Sequence, residues 1–123
     1  MIGLWRYYNR NPDKKEEEDC VCRAISTAIG ITYRAAKGLI AMAADAEECE
    51  HLCVCCYHPL LEDCFGLKPR YSRYRDTVED IARMYKDRKV IVRVDGHLTC
   101  AIFGKILDIW DCSDELVDCY WLV

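Results

Sequence analysis

Near residue 88 the hydrophobic pattern of the chain changes its period. Before that point apolar residues recur at helical spacing: Val21, Ala24, Ile25, Ala28 and Ile29; then Ala36, Leu39, Ile40 and Ala43; then Val78, Ile81, Ala82 and Tyr85. Each set lines one face of a helix. After it, Lys89 to Val94, Leu98 to Phe103, Ile106 to Trp110 and Leu116 to Leu122 are short runs rich in β-branched and aromatic residues, which suit strands. Helices followed by consecutive strands give an α+β fold rather than alternating βαβ units. At 123 residues the chain is read as a single domain spanning 1–123. The expectation is N-terminal helices packed on a C-terminal antiparallel β-sheet of about four strands.

Punctuation residues set the expected boundaries. Residues 1–19 read as an irregular lead-in with Trp5, Tyr7 and Tyr8 as anchors, a turn at Asn11-Pro12-Asp13 and a solvated charge run from Lys14 to Glu18. Asp19 is positioned to cap a first helix, and Gly30 to stop it. Thr32 is positioned to cap a second helix over about 33–46. Thr77 with Asp80 has the form of a capping box for a third, Asp replacing the usual Glu. Residues 47–76 read as a variable Cys-rich insertion, with some helix near 50–56 and loop beyond. Gly104-Lys105 is a hairpin signal, because Gly at the first central position suits a type II′ turn.

Composition narrows the function classes. Net charge is −4 and no basic stripe dominates, so nucleic acid is not the expected partner. Lys68, Arg70, Arg73 and Arg75 form a local cluster, read as a solvated loop face. No apolar run approaches the ~20 residues that span a bilayer, so no membrane association is expected. The first residues, Met1-Ile2-Gly3-Leu4-Trp5-Arg6, lack a signal-peptide core. A cytoplasmic location is therefore expected, with most of the ten cysteines as free thiols and few or no disulfides.

One cysteine stands apart. Cys20 falls just after the expected cap of the first helix, where unpaired N–H groups lower a thiol pKa and can hold an oxyanion. Cys22 faces another side of the helix and is the weaker candidate. His97 follows Asp95-Gly96 at a strand mouth, where its ring can face a cleft. A carboxylate to orient that ring is available at Asp108 or Asp111, and the hairpin register decides between them. A Gly104-Lys105 loop sets His97 opposite Cys112 and leaves Asp108 roughly 13 Å along the strand. A Phe103-Gly104 loop brings Asp108 to a diagonal position, about 7–8 Å between α-carbons. A three-residue loop sets Asp111 opposite His97. Spacing alone leaves these alternatives open.

Four segments carry a family resemblance. They are Asp19-Cys20-Val21-Cys22-Arg23-Ala24-Ile25-Ser26, Gly96-His97-Leu98-Thr99, Asp108-Ile109-Trp110-Asp111-Cys112-Ser113 and Tyr120-Trp121. Together they resemble a family of small papain-like proteins associated with bacteriophages and bacterial mobile elements, over nearly the whole chain except 47–76. The resemblance implies a papain-like fold and a Cys20–His97–Asp108 triad. In the wider papain-like clan a Trp often follows the orienting residue by two positions, as Trp110 follows Asp108, which favours Asp108 over Asp111. The clan usually adds a Gln before the nucleophile to complete the oxyanion hole. This chain contains no Gln, and Asn11 or Asn9 is the substitute on offer.

Three functions compete. The first is a cysteine-nucleophile hydrolase or acyl transferase acting on peptide, isopeptide or amide bonds of a peptide or protein substrate, with no cofactor. The second is a catalytically inactive papain-like module by which a phage or mobile element binds a host protein. The third is a thiol or metal sensor built on residues 47–64. Cys49-x3-Cys53-x-Cys55-Cys56, with His51 and His58, offers zinc ligand types but not the paired C-x2-C spacing of structural zinc sites, so no metal is expected there.

Overall fold

In a computed structural model describing residues 3–72 and 74–123, the first helix, α1, runs from Cys20 to Ile29 and stops at Gly30, whose φ of 83° is left-handed. Glycine adopts that conformation without a side-chain clash. α2 (Tyr33–Glu47) starts at Thr32, whose side chain accepts the Ala35 N–H, and α4 (Val78–Met84) starts at the Thr77/Asp80 capping box. Between them α3 spans Val54–Phe65. The described strands are β1 (Trp5–Tyr7), β2 (Arg70–Tyr71), β3 (Lys89–Val94), β4 (His97–Ile102), β5 (Lys105–Asp108) and β6 (Val117–Leu122).

The fold is α+β, with four helices and one mixed sheet of six strands among the described residues, in the order β1-β5-β4-β3-β6-β2. The expected four strands are present as β3 to β6, and two short ones extend the sheet. β1 adds in parallel beside β5, and β2 lies antiparallel on β6. The sheet is therefore neither four-stranded nor wholly antiparallel. The C-terminal strands are not a simple meander either, because β6 returns to pair with β3.

Strand alternation divides the core into two layers. Ile91, Leu98, Cys100, Cys119 and Trp121 pack with α1, α2 and α3. Val90, Val92, Ala101, Ile106 and Tyr120 pack with Val78, Ile81 and Ala82 of α4. The first layer takes in part of the 47–76 segment that was read as a variable Cys-rich insertion. Cys56, Tyr57, Leu60 and Leu61 of α3 are buried in it, and Tyr57 meets Trp121 edge-on at 6.0 Å between ring centroids. Pro59 stands inside α3. It removes one hydrogen-bond donor there, and the buried face on either side of it keeps the helix in place.

Two further corrections concern turns and caps. The β4–β5 hairpin pairs Ile102 with Lys105, so its loop is Phe103-Gly104, not Gly104-Lys105. Both loop residues have positive φ, 48° and 83°, the signature of a type I′ turn. Asp19 precedes α1 as expected, but its side chain makes no capping bond. Of the basic cluster, Arg70 lies in β2 and is exposed, and Arg73 lies outside the described residues. No described helix is long and apolar enough to cross a membrane.

Candidate active site

The hairpin register brings His97 and Asp108 together. Pairing of Ile102 with Lys105 and Ala101 with Ile106 continues to set Asp108 near Thr99, diagonal to His97. His97 Nε2 then lies 2.6 Å from Asp108 Oδ2. The other alternative does not reach the ring. Asp111 is exposed and accepts from the Ser113 N–H at 3.1 Å, forming a local turn of its own.

Cys20 meets the same ring. It is the first residue of α1, 9% exposed, and its thiol lies in one cleft with His97 and Leu98, both of which favour its ionised form. Asp108 occupies Nε2, which leaves Nδ1 to the sulfur. Burial pushes the Cys20 thiol up, but the bonds from His97 and Leu98 and the charges of His97 and Arg23 outweigh it, and the net shift is downward. Burial likewise opposes charge on His97, yet its bonds to Asp108, Cys112 and Cys20 push it up to about 11. Both shifts favour the thiolate–imidazolium form of the pair. Asp108, 3% exposed, is held below its ordinary range despite its burial, by His97 and by Arg23.

Trp110 covers the imidazole. Its ring stands edge-on to that of His97 at 5.0 Å, with 44% of the residue exposed. It shields one side of the His97 ring from water. Cys112 Sγ lies 3.8 Å from Asp108 Oδ2 and fills the buried side. His97, Asp108 and Cys112 thus bring three metal-ligating atoms within 4.8 Å of one another, although His97 and Asp108 are already committed to each other.

Arg23 is the residue the sequence reading quoted but gave no role. Its Nε is 2.5 Å from Asp19 Oδ1, and one terminal nitrogen is 2.9 Å from Asp108 Oδ1. Asp19 in turn accepts from the Tyr33 hydroxyl at 2.7 Å and from Asn11 Nδ2 at 3.2 Å. A buried polar chain therefore runs from Asn11 through Asp19, Arg23 and Asp108 to His97. Spacing gave one clue, since Asp19 and Arg23 stand four residues apart, the interval of a helical ion pair.

That chain has two consequences. Asn11 is not free to serve an oxyanion, because its amide N–H groups are directed at Glu17 Oε1, Asp19 Oδ2 and the Tyr33 hydroxyl. Asn9 likewise donates its amide to the Lys15 carbonyl at 2.8 Å. Conversely, the Asp19 carboxylate is drawn away from the helix start, so the first-turn N–H groups of α1 carry no side-chain cap. Those donors are the ones left to bind an oxyanion beside Cys20.

Cys22 contrasts with Cys20. Its thiol donates to the Tyr33 carbonyl at 3.3 Å, and burial together with the Asp19 charge pushes it up to about 11. The Cys20–His97 cleft is lined by Val21, Leu52, Val54, Tyr57, Arg93, Val94, Gly96 and Leu98. A cavity of about 360 Å³ adjoins it, sharing Val21 and Leu52, with Ile40 and Cys22 inside and Glu17, Glu18 and Lys37 also on its lining. Searches of protein-family models, curated proteins and solved structures found no match to the chain.

Proposed function

We propose that the protein is a papain-like thiol hydrolase or acyl transferase acting on peptide, isopeptide or amide bonds. One observation carries the proposal: a cysteine at an uncapped helix start shares a histidine with a buried carboxylate 2.6 Å from the opposite ring nitrogen. Geometry and charge state both suit nucleophilic catalysis.

The Cys20 thiolate attacks the substrate carbonyl carbon, and a C–S bond forms. The carbonyl oxygen takes up the negative charge against the N–H groups of the first turn of α1. His97 gives its proton to the departing nitrogen as the C–N bond breaks and the amine leaves. The thioester then yields to water, or to an acceptor amine, which His97 deprotonates. Asp108 keeps the ring oriented and its charge stabilised. The adjoining cavity accepts a substrate side chain of moderate size, with an apolar floor and charged groups at its lining.

An electrophilic thiol trap tests this directly. Fast labelling confined to Cys20, and lost in His97→Ala, is the expected result. Slow, uniform labelling of the accessible thiols would instead favour a papain-like module that binds a host protein without catalysis. The tight cleft around Cys20, about 50 Å³, is the observation on that side.

A further inference from the structure

The sulfurs of Cys49, Cys53 and Cys55 lie within 4.8 Å of one another, although their sequence spacing matches no standard metal motif. The fold gathers them at one corner. α2 ends at Glu48, whose left-handed φ of 54° turns the chain, and the Cys49 N–H returns to the Ala44 carbonyl at 3.0 Å. The chain then folds back through a tight turn, with the Cys53 N–H on the Glu50 carbonyl at 3.0 Å. Cys53 is the N-cap of α3, and its sulfur accepts the Cys55 N–H at 3.4 Å.

The geometry points to a thiolate site for a thiophilic divalent ion, zinc by ligand chemistry, built from Cys49, Cys53 and Cys55 where α2 hands over to α3. Tetrahedral zinc with Zn–S bonds of about 2.3 Å sets its sulfurs about 3.8 Å apart. The three thiols need close by only about an ångström to meet that spacing. A groove lined by Asp45, Glu48 and Glu50 opens over Cys49 and Cys53. A carboxylate or a water from it completes the tetrahedron. Binding there releases the thiol protons, so uptake of the ion depends on pH.

The site also has a structural consequence. Leu52 and Val54, interleaved with the ligands, wall the Cys20–His97 cleft, and Leu52 belongs to the adjoining cavity as well. An ion held by Cys49, Cys53 and Cys55 closes the loop on itself and fixes that wall. The metal site stands independently of catalysis, because its ligands lie outside the Cys20–His97–Asp108 cluster.

Titration of the fully reduced wild-type protein with Zn(II) and Co(II) tests the site. One equivalent of ion is expected, with a sulfur-to-cobalt charge-transfer band. Zinc should protect Cys49, Cys53 and Cys55 from alkylation while leaving the exposed Cys64 reactive, as read by peptide mass spectrometry. Cys49→Ser, Cys53→Ser and Cys55→Ser should each weaken zinc by at least about tenfold, the lower end of what changes around a metal's ligands cost. Cys64→Ser and His97→Ala should not. The site is overturned if the reduced protein takes up no ion, if the cobalt spectrum lacks sulfur ligation, or if binding is lost with His97→Ala. The protection experiment needs no variant, so a misfolded mutant does not blur the outcome.

Discussion

Two helices of this protein have a cysteine at their start, and the two starts have different surroundings. Cys20 opens α1 and meets one histidine, which a buried carboxylate orients. Cys53 caps α3 and meets two further thiols. A helix start favours a thiolate in both places. The neighbours decide what that thiolate is for: a proton donor with a cleft makes a nucleophile, whereas more sulfur makes a ligand set. Position on a helix is therefore only half of a functional argument for cysteine.

The largest effects should come from breaking the Cys20 side. Cys20→Ala and His97→Ala are each expected to abolish hydrolysis and selective probe labelling. The double variant should lose little more than either single one, because the pair works as a unit. Asp108→Asn should lower kcat/KM less, and Cys22→Ala should leave it near wild type. Steady-state rates on a shared peptide or amide substrate rank the four. Rapid reaction of an electrophile at Cys22 rather than Cys20 would break the comparison at its root.

Arg23 comes next. Arg23→Met leaves Asp19 buried without its cation and Asp108 with His97 alone, and should cost about 3–5 kcal/mol of stability, the usual toll of breaking a buried ion pair. Urea unfolding measures this. A loss under about 1 kcal/mol would mean that the surrounding hydrogen bonds carry the carboxylates unaided.

The pH dependence sharpens the contrast between Cys20 and Cys22. Alkylation of Cys20 should have its midpoint below the ~8.5 of a free thiol, and His97→Ala should move it upward. Cys22 should react with a midpoint near 11. Stability follows the opposite partners. The His97 contribution is full below the ~6.5 of the unfolded imidazole and is lost as pH rises toward about 11. The Asp108 contribution is present above ~3.9 and is lost as pH falls through its lower folded value. Denaturant midpoints of wild type and Asp108→Asn, compared from neutral to acid, check the second limb.

A smaller effect is expected at the hairpin. Phe103→Gly relieves a left-handed backbone and should add about 0.5–1 kcal/mol, since glycine's extra chain entropy offsets part of the relief. Thermal unfolding reads it, and a destabilised variant would show that the half-exposed Phe103 side chain contributes packing.

Legibility from sequence followed the range of each interaction. α1, α2 and α4 were readable because periodicity and caps are local, as with Thr32 and the Thr77/Asp80 box. α3 was lost past residue 56 because Pro59 argues against a helix, whereas burial of Leu60 and Leu61 holds it in place. β1 and β2, three and two residues long, are too short to show alternation and exist through distant partners. Cys20, His97 and Asp108 could be singled out by residue type. The order of their contacts depended on a turn whose first left-handed residue is a phenylalanine, which no glycine rule anticipates. Arg23 was missed because one of its partners lies 85 residues away. The convergence of Cys49, Cys53 and Cys55 was missed because a left-handed glutamate, Glu48, reverses the chain just before them.

The Phe103-Gly104 turn lies at the far end of β4 from His97, yet it decides which side chain His97 meets. Inserting or deleting one residue there would slide β5 by a step and part the imidazole from its carboxylate, with every site residue still present. Two chains with the same cysteine, histidine and aspartate could thus differ in activity through a loop that touches none of them. On the proposed function, a change in the length of that turn would end the chemistry while keeping the scaffold.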